Sequence, residues 1–127
     1  MNVENLFEVI RSIVEREEIV SFYIGKTDNI EKRKKDEKYE DYTLISIVEG
    51  DCKKIFKLEE VLIEHFIGYR NCDNVSLESC GNPDADSIYL AYQEDVSITL
   101  DDSVDDAWRK IYNSDIVLPI DADEIEL

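Results

Sequence analysis

The sequence predicts an α/β (α+β) domain: a small antiparallel sheet of about three strands flanked by helices, with an extra N-terminal helix and an acidic C-terminal extension. Three observations predict it. Two stretches carry apolar residues at helical spacing, around positions 3–14 and 55–66. Three short runs, EIVSFYI, YTLISIV and SIYLAYQ, are rich in β-branched and aromatic residues, as strands are. The 127 residues hold no repeat and no linker, so one domain is expected over 1–127.

The elements follow in order. Val3, Leu6, Phe7, Ile10, Ile13 and Val14 form a helical stripe over residues 2–17, with Asn2 as cap and Glu4 in the first turn. Residues 18–24 read as a strand closed by Gly25. Asp28 or Asn29 then caps a short polar helix to about Lys35, in which Ile30 is the only apolar residue and must face the core. Tyr42 to Val48 is a second strand, punctuated by Gly50-Asp51. Residues 52–67 form the strongest helix, with Ile55, Phe56, Leu58, Val61, Leu62, Ile63 and Phe66 covering a wide apolar face. After a Gly- and Asn-containing loop, Ser87 to Gln93 is a third strand and Val96 to Leu100 a short fourth. Asp101 to Tyr112 is expected to be a helix carrying Trp108 on its apolar side, and the end, DADEIEL, to be loose.

Charge separates the chain into unlike parts. Net charge is −17; residues 1–80 carry 12 basic and 18 acidic residues, whereas 81–127 carry 2 and 13. The positive charge gathers at Lys26, Lys32, Arg33, Lys34, Lys35 and Lys38. The body should therefore repel a polyanion while one patch attracts it. No apolar run approaches the roughly 18 residues of a membrane span, and acids among the first apolar residues do not fit a signal peptide. Cys52, Cys72 and Cys80 are odd in number, which suits reduced thiols and a cytoplasmic location. With His65 they could form a zinc set, but no CxxC is present and the gap from Cys72 to Cys80 is wide for a close ligand pair.

Two residues stand out by position. Arg33 shares the inward side of its short helix with Ile30. Glu59 has Ile55, Phe56, Leu62 and Ile63 as helical neighbours, so its carboxylate sits on an apolar face and needs a partner. Either it forms a buried structural ion pair or snorkels to the rim, or it is a metal ligand or catalytic acid held in a partly dry site.

Tyr23-Ile24-Gly25 ending a strand, then Lys26-Thr27, then Asn29-Ile30 and Arg33, resembles the GIY-YIG nuclease family. Leu58-Glu59-x-x-Leu62-Ile63-x-x-Phe66 resembles the glutamate helix of that family, and Asn74 its late asparagine. The resemblance covers residues 18–75, leaving 87–127 as an additional strand, helix and acidic tail. It implies a metal-dependent endonuclease that hydrolyses nucleic-acid phosphodiesters with one Mg²⁺ or Mn²⁺. It further implies that Glu59 binds the metal and that Arg33 steadies the attacked phosphate. Tyr23 belongs to the second motif, and Gly25, Lys26, Lys34 and Asn74 would contact substrate, DNA in the first place. The tyrosine of the first motif serves as base or orients water. The first motif should lie on a strand just before residues 18–24, where the N-terminal helix leaves no room. Ser87-Ile88-Tyr89 could supply that strand from later in the chain, which would put Tyr89 beside Tyr23 as a further catalytic residue.

Two other readings compete. The chain could be a relative that no longer cuts and serves as a binding or regulatory module on a basic or nucleic-acid-binding protein; a cutting enzyme could instead take its targeting from a protein partner or a homodimer. Or the YIG tripeptide is chance, in which case Glu59 pairs with a structural lysine or arginine and Arg33 lies remote from it.

Overall fold

The computed structural model describes residues 2–74, 84–95 and 118–126. The first helix, α1 (Val3–Val14), is fixed at its start by a reciprocal cap: the Asn2 and Asn5 side chains each accept from the other's backbone N–H, at 3.0 and 3.1 Å. Its stripe buries Leu6, Val9, Ile10, Ile13 and Val14. Strand β1 (Ile19–Thr27) runs on through Gly25 rather than ending there. No described glycine has a positive φ, so Gly25 is extended backbone and does not turn the chain. Asn29 caps the five-residue α2 (Ile30–Lys34), accepting from the Lys32 N–H at 3.0 Å. A single 3-10 turn, Glu37–Tyr39, leads to β2 (Thr43–Glu49). Then come α3 (Cys52–Phe66), β3 (Ser87–Glu94), the two-residue β4 (Ile120–Asp121) and a 3-10 turn at Ala122–Glu124.

The strands form one mixed sheet in the order β1-β3-β2-β4. β3 is antiparallel to both β1 and β2, and β4 runs parallel to β2. The expected antiparallel sheet is thus present as β1-β3-β2, with a short parallel strand added at its edge. Central position explains why every residue from Ser87 to Tyr92 is buried: both faces of this strand are covered.

The two faces differ in chemistry. Phe22, Ile24, Ile88, Leu90 and Tyr92 face the main core, built with the stripes of α1 and α3. Phe66 anchors it, meeting Phe22 edge-on at 6.1 Å and Tyr69 at 5.1 Å. On the opposite face Tyr89, Ala91 and Leu44 form a second cluster with Tyr39, against which Tyr23, Ile30 and Tyr42 pack.

The outer edge of β1 is covered by the segment following α3. Phe22 N–H donates to the Asn71 carbonyl at 2.9 Å, and Asp73 N–H to the Phe22 carbonyl at 2.7 Å. The C-terminal residues depart from expectation. Ile120, Ala122 and Ile125 are buried, with Ile125 fully so, and the acidic positions between them face out. A Cβ on Gly50 would come within 2.6 Å of the Ala122 Cβ, so the glycine makes room for this docked end. The strand expected at Val96–Leu100 and the helix at Asp101–Tyr112, with Trp108, lie outside the described residues. Among those described, no helix is long and apolar enough to cross a membrane.

Candidate functional site: a tyrosine cluster beside a lysine–glutamate pair

Antiparallel register sets Gly25 directly opposite Tyr89. Directly opposed residues project to the same face, so the Tyr89 ring lies over the glycine. A Cβ at position 25 would stand 2.5 Å from both Cζ and Oη of Tyr89 and 2.8 Å from Cε1 of Tyr23. Gly25 is therefore a space requirement: only a residue without a side chain admits the phenol. The Tyr89 hydroxyl meets the Tyr39 hydroxyl at 3.0 Å, and the Tyr23 ring lies 6.4 Å from each of the other two rings. Burial, and then the Tyr39 hydrogen bond, push the Tyr89 phenol well above its ordinary pKa, while Arg33 acts the other way. Tyr23 is also raised, by burial first and then by Tyr39 and Glu59, again opposed by Arg33. The Tyr23 hydroxyl thus feels both Glu59 and Arg33, which are remote in sequence.

Lys26 follows Gly25 and points to the other face. Its Nζ lies 3.7 Å from Glu59 Oε1, with the two side chains 5% and 6% exposed. The same ammonium sits 4.0 Å from the Phe56 ring centroid, one turn before Glu59 on α3. The partner that Glu59 requires is therefore a lysine. This buried lysine pair is the outcome expected for Glu59 if the YIG tripeptide is chance. At 3.7 Å the contact is longer than the 2.7–2.9 Å typical of a charge-assisted hydrogen bond.

Arg33 projects from α2 with its Cζ 6.0 Å from the Tyr89 ring centroid and Nη1 4.0 Å from Asp36. It lines an open hollow of about 440 Å³ with Thr27, Asp28, Asn29, Lys32, Lys35 and Asp36. Three cations against two acids make this hollow cationic.

The expected residues fare unequally. Tyr23 and Tyr89 share one face of the sheet, with Arg33 6.0 Å from the Tyr89 ring, while Lys26 and Glu59 pair on the other. Lys34 does not join them: its Nζ is 3.6 Å from Glu31, and it borders a separate hollow with Glu37 and Glu40. Asn74 braces β1, accepting from the Ile24 N–H at 3.0 Å and donating to the Ile24 carbonyl at 2.9 Å. Gly25 acts through the space it leaves. Tyr39 and Phe56 were not anticipated; the only sequence signal for Tyr39 is an aromatic residue after the basic run.

The donor set decides which metal would fit. Among the described residues no three His, Cys, Asp or Glu side chains cluster. His65 stacks on Phe7 at 3.8 Å and takes Arg11 at Nε2, and Cys52 and Cys72 are half-buried thiols; Cys80 lies outside the described residues. One carboxylate, such as that of Glu59, is a donor set of the kind Mg²⁺ or Mn²⁺ accepts, since these ions take one or two protein carboxylates and complete their shells with water and phosphate oxygens. It does not suit structural zinc. No family model, curated protein or solved structure matches the chain.

Proposed function

We propose that this protein is a metal-dependent endonuclease of GIY-YIG type with its first-motif strand supplied late in the chain. One observation carries the reading. Ser87-Ile88-Tyr89 lies on the strand beside Tyr23-Ile24-Gly25, with Tyr89 over the glycine. The sequence resemblance required that strand and could not place it before residue 18. Pairing of strands depends on their proximity and register, so a late strand serves as well as an early one.

Within that reading Glu59 holds Mg²⁺ or Mn²⁺, which neutralises charge on the phosphate and acidifies bound water. Arg33, whose guanidinium keeps its proton, offers a fork for the phosphate oxygens, and Lys26 adds a point charge. Tyr89 and Tyr23 are held neutral by burial. A phenol that resists ionisation donates and accepts hydrogen bonds, so these side chains orient water or a phosphate oxygen rather than act as resting bases. Asn74 keeps β1 in place. DNA is the first substrate to try, because the cationic hollow beside Arg33 presents donors to any phosphodiester backbone.

The buried Lys26–Glu59 pair favours a second reading, a related domain that binds without cutting. Nicking of supercoiled plasmid with Mg²⁺ or Mn²⁺ separates the two. A catalyst nicks, and both Arg33→Ala and Glu59→Gln lose at least about 100-fold, the scale on which electrostatic transition-state groups act. Equal nicking by both variants would remove the site, and no nicking by the wild type would leave the binding module.

A further inference from the structure

The Lys26 ammonium lies 3.7 Å from Glu59 Oε1 and 4.0 Å from the Phe56 centroid. Phe56 is 40% exposed, one of two large apolar residues so exposed among those described, so the ammonium packs on a ring that itself reaches solvent. The separation exceeds that of a directional charge-assisted bond. A lysine stem has four rotatable carbons and can swing its charge without moving the backbone.

We infer that Lys26 and Glu59 form an exchangeable ion pair, in which a divalent cation takes over Glu59 while a phosphate takes over Lys26. This rests on the reading of the site as one for metal and phosphodiester. A cation arriving alone at Glu59 meets the ammonium a few ångströms away, and a phosphate arriving alone at Lys26 meets the carboxylate. When both arrive, charges alternate in sign and each newcomer removes the repulsion felt by the other. The two ligands are then thermodynamically coupled, and the coupling is reciprocal. The closed pair also keeps Glu59 neutralised when no substrate is present, so that the metal site is complete only on a nucleic-acid backbone.

The test reads binding rather than cutting. Mn²⁺ binding is measured without DNA by electron paramagnetic resonance, and binding of a short labelled single-stranded DNA is measured in EDTA by fluorescence anisotropy. The variants are Lys26→Met and Glu59→Gln. Lys57→Met and Glu60→Gln, at exposed positions of the same helix, report the generic effect of each charge change. Exchange predicts that Lys26→Met tightens Mn²⁺ about tenfold and that Glu59→Gln tightens DNA about tenfold, within the usual range of coupling between sites. Each control should move its ligand far less. Lys26→Met binding Mn²⁺ no better than Lys57→Met, or Glu59→Gln binding DNA no better than Glu60→Gln, overturns the exchange. Should Lys26→Met fail to fold by circular dichroism, Lys26→Gln replaces it with the same expected gain. Nicking by the wild type without the reciprocal gains removes the exchange alone. Reciprocal gains without nicking keep the exchange and remove cleavage, and a wild type that binds neither ligand removes both.

Discussion

Gly25→Ala probes the close approach of the Tyr89 ring to β1. The added Cβ would stand 2.5 Å from Cζ and Oη of Tyr89 and 2.8 Å from Cε1 of Tyr23. A phenol tip can usually swing aside, but this one is confined. Tyr89 is 3% exposed, its hydroxyl is bonded to Tyr39 at 3.0 Å, and the Tyr23 and Tyr39 rings lie 6.4 and 6.0 Å from its own. Overpacking of this kind costs about 1–3 kcal/mol, and loss of the Tyr39 hydrogen bond adds about 1 kcal/mol. Replacing a strand glycine returns about 0.5–1 kcal/mol of backbone entropy. The expected net loss is about 1–3 kcal/mol, read by urea denaturation followed by circular dichroism. A double-mutant cycle with Tyr89→Ala isolates the clash: with the ring gone, the alanine should be tolerated, giving a coupling of at least about 1 kcal/mol. A Gly25→Ala protein within about 0.5 kcal/mol of wild type, additive with Tyr89→Ala, would refute the placement of the ring over the glycine.

Other outcomes follow from the same contacts. Asn74→Ala strips two hydrogen bonds from Ile24 and leaves a buried N–H and carbonyl without their partner. A loss of about 2–4 kcal/mol is expected in the same denaturation assay. Glu59→Gln leaves the Lys26 ammonium buried without its carboxylate and should cost about 3 kcal/mol, whereas Lys26→Met with Glu59→Leu should be nearly neutral. Tyr23, Tyr69 and Tyr89 are all raised, chiefly by burial. Free tyrosines ionise near pH 10, so above that the native state holds more protons than the unfolded chain. The contribution of these phenols is fully present below about pH 10 and is lost as pH rises further. Urea midpoints should fall above that pH, less steeply in Tyr89→Phe.

Much of the fold was legible because periodicity survives in single segments. The α1 stripe, the asparagine cap of α2, the glutamate helix and SIYLAYQ are all local patterns, and each forms the expected element. Strand order was not local: nothing within Ser87–Gln93 says that it lies between β1 and β2, since that depends on which edges remain to be filled. Gly25 reads as strand punctuation in the sequence, but it makes room for a ring that comes from residue 89. Glu59 could be recognised as a carboxylate on an apolar face, while its partner could not, because Lys26 reaches it only if β1 continues beyond the glycine. The end was read as loose on its acidity. Ala122 and Ile125, three apart among the acids, are the apolar points that dock it.

The central claim is that the Tyr89 hydroxyl, on a late strand, works in the same site as Tyr23, Arg33 and Glu59. Mn²⁺-dependent plasmid nicking by Tyr89→Phe tests it most directly, since the substitution removes one oxygen and leaves the ring. Nicking by the wild type is expected, with a loss of about 100-fold in the variant, the scale on which a positioned transition-state hydrogen-bond donor acts, and an unchanged circular dichroism spectrum. Nicking at the wild-type rate by Tyr89→Phe, or none by the wild type, would contradict it.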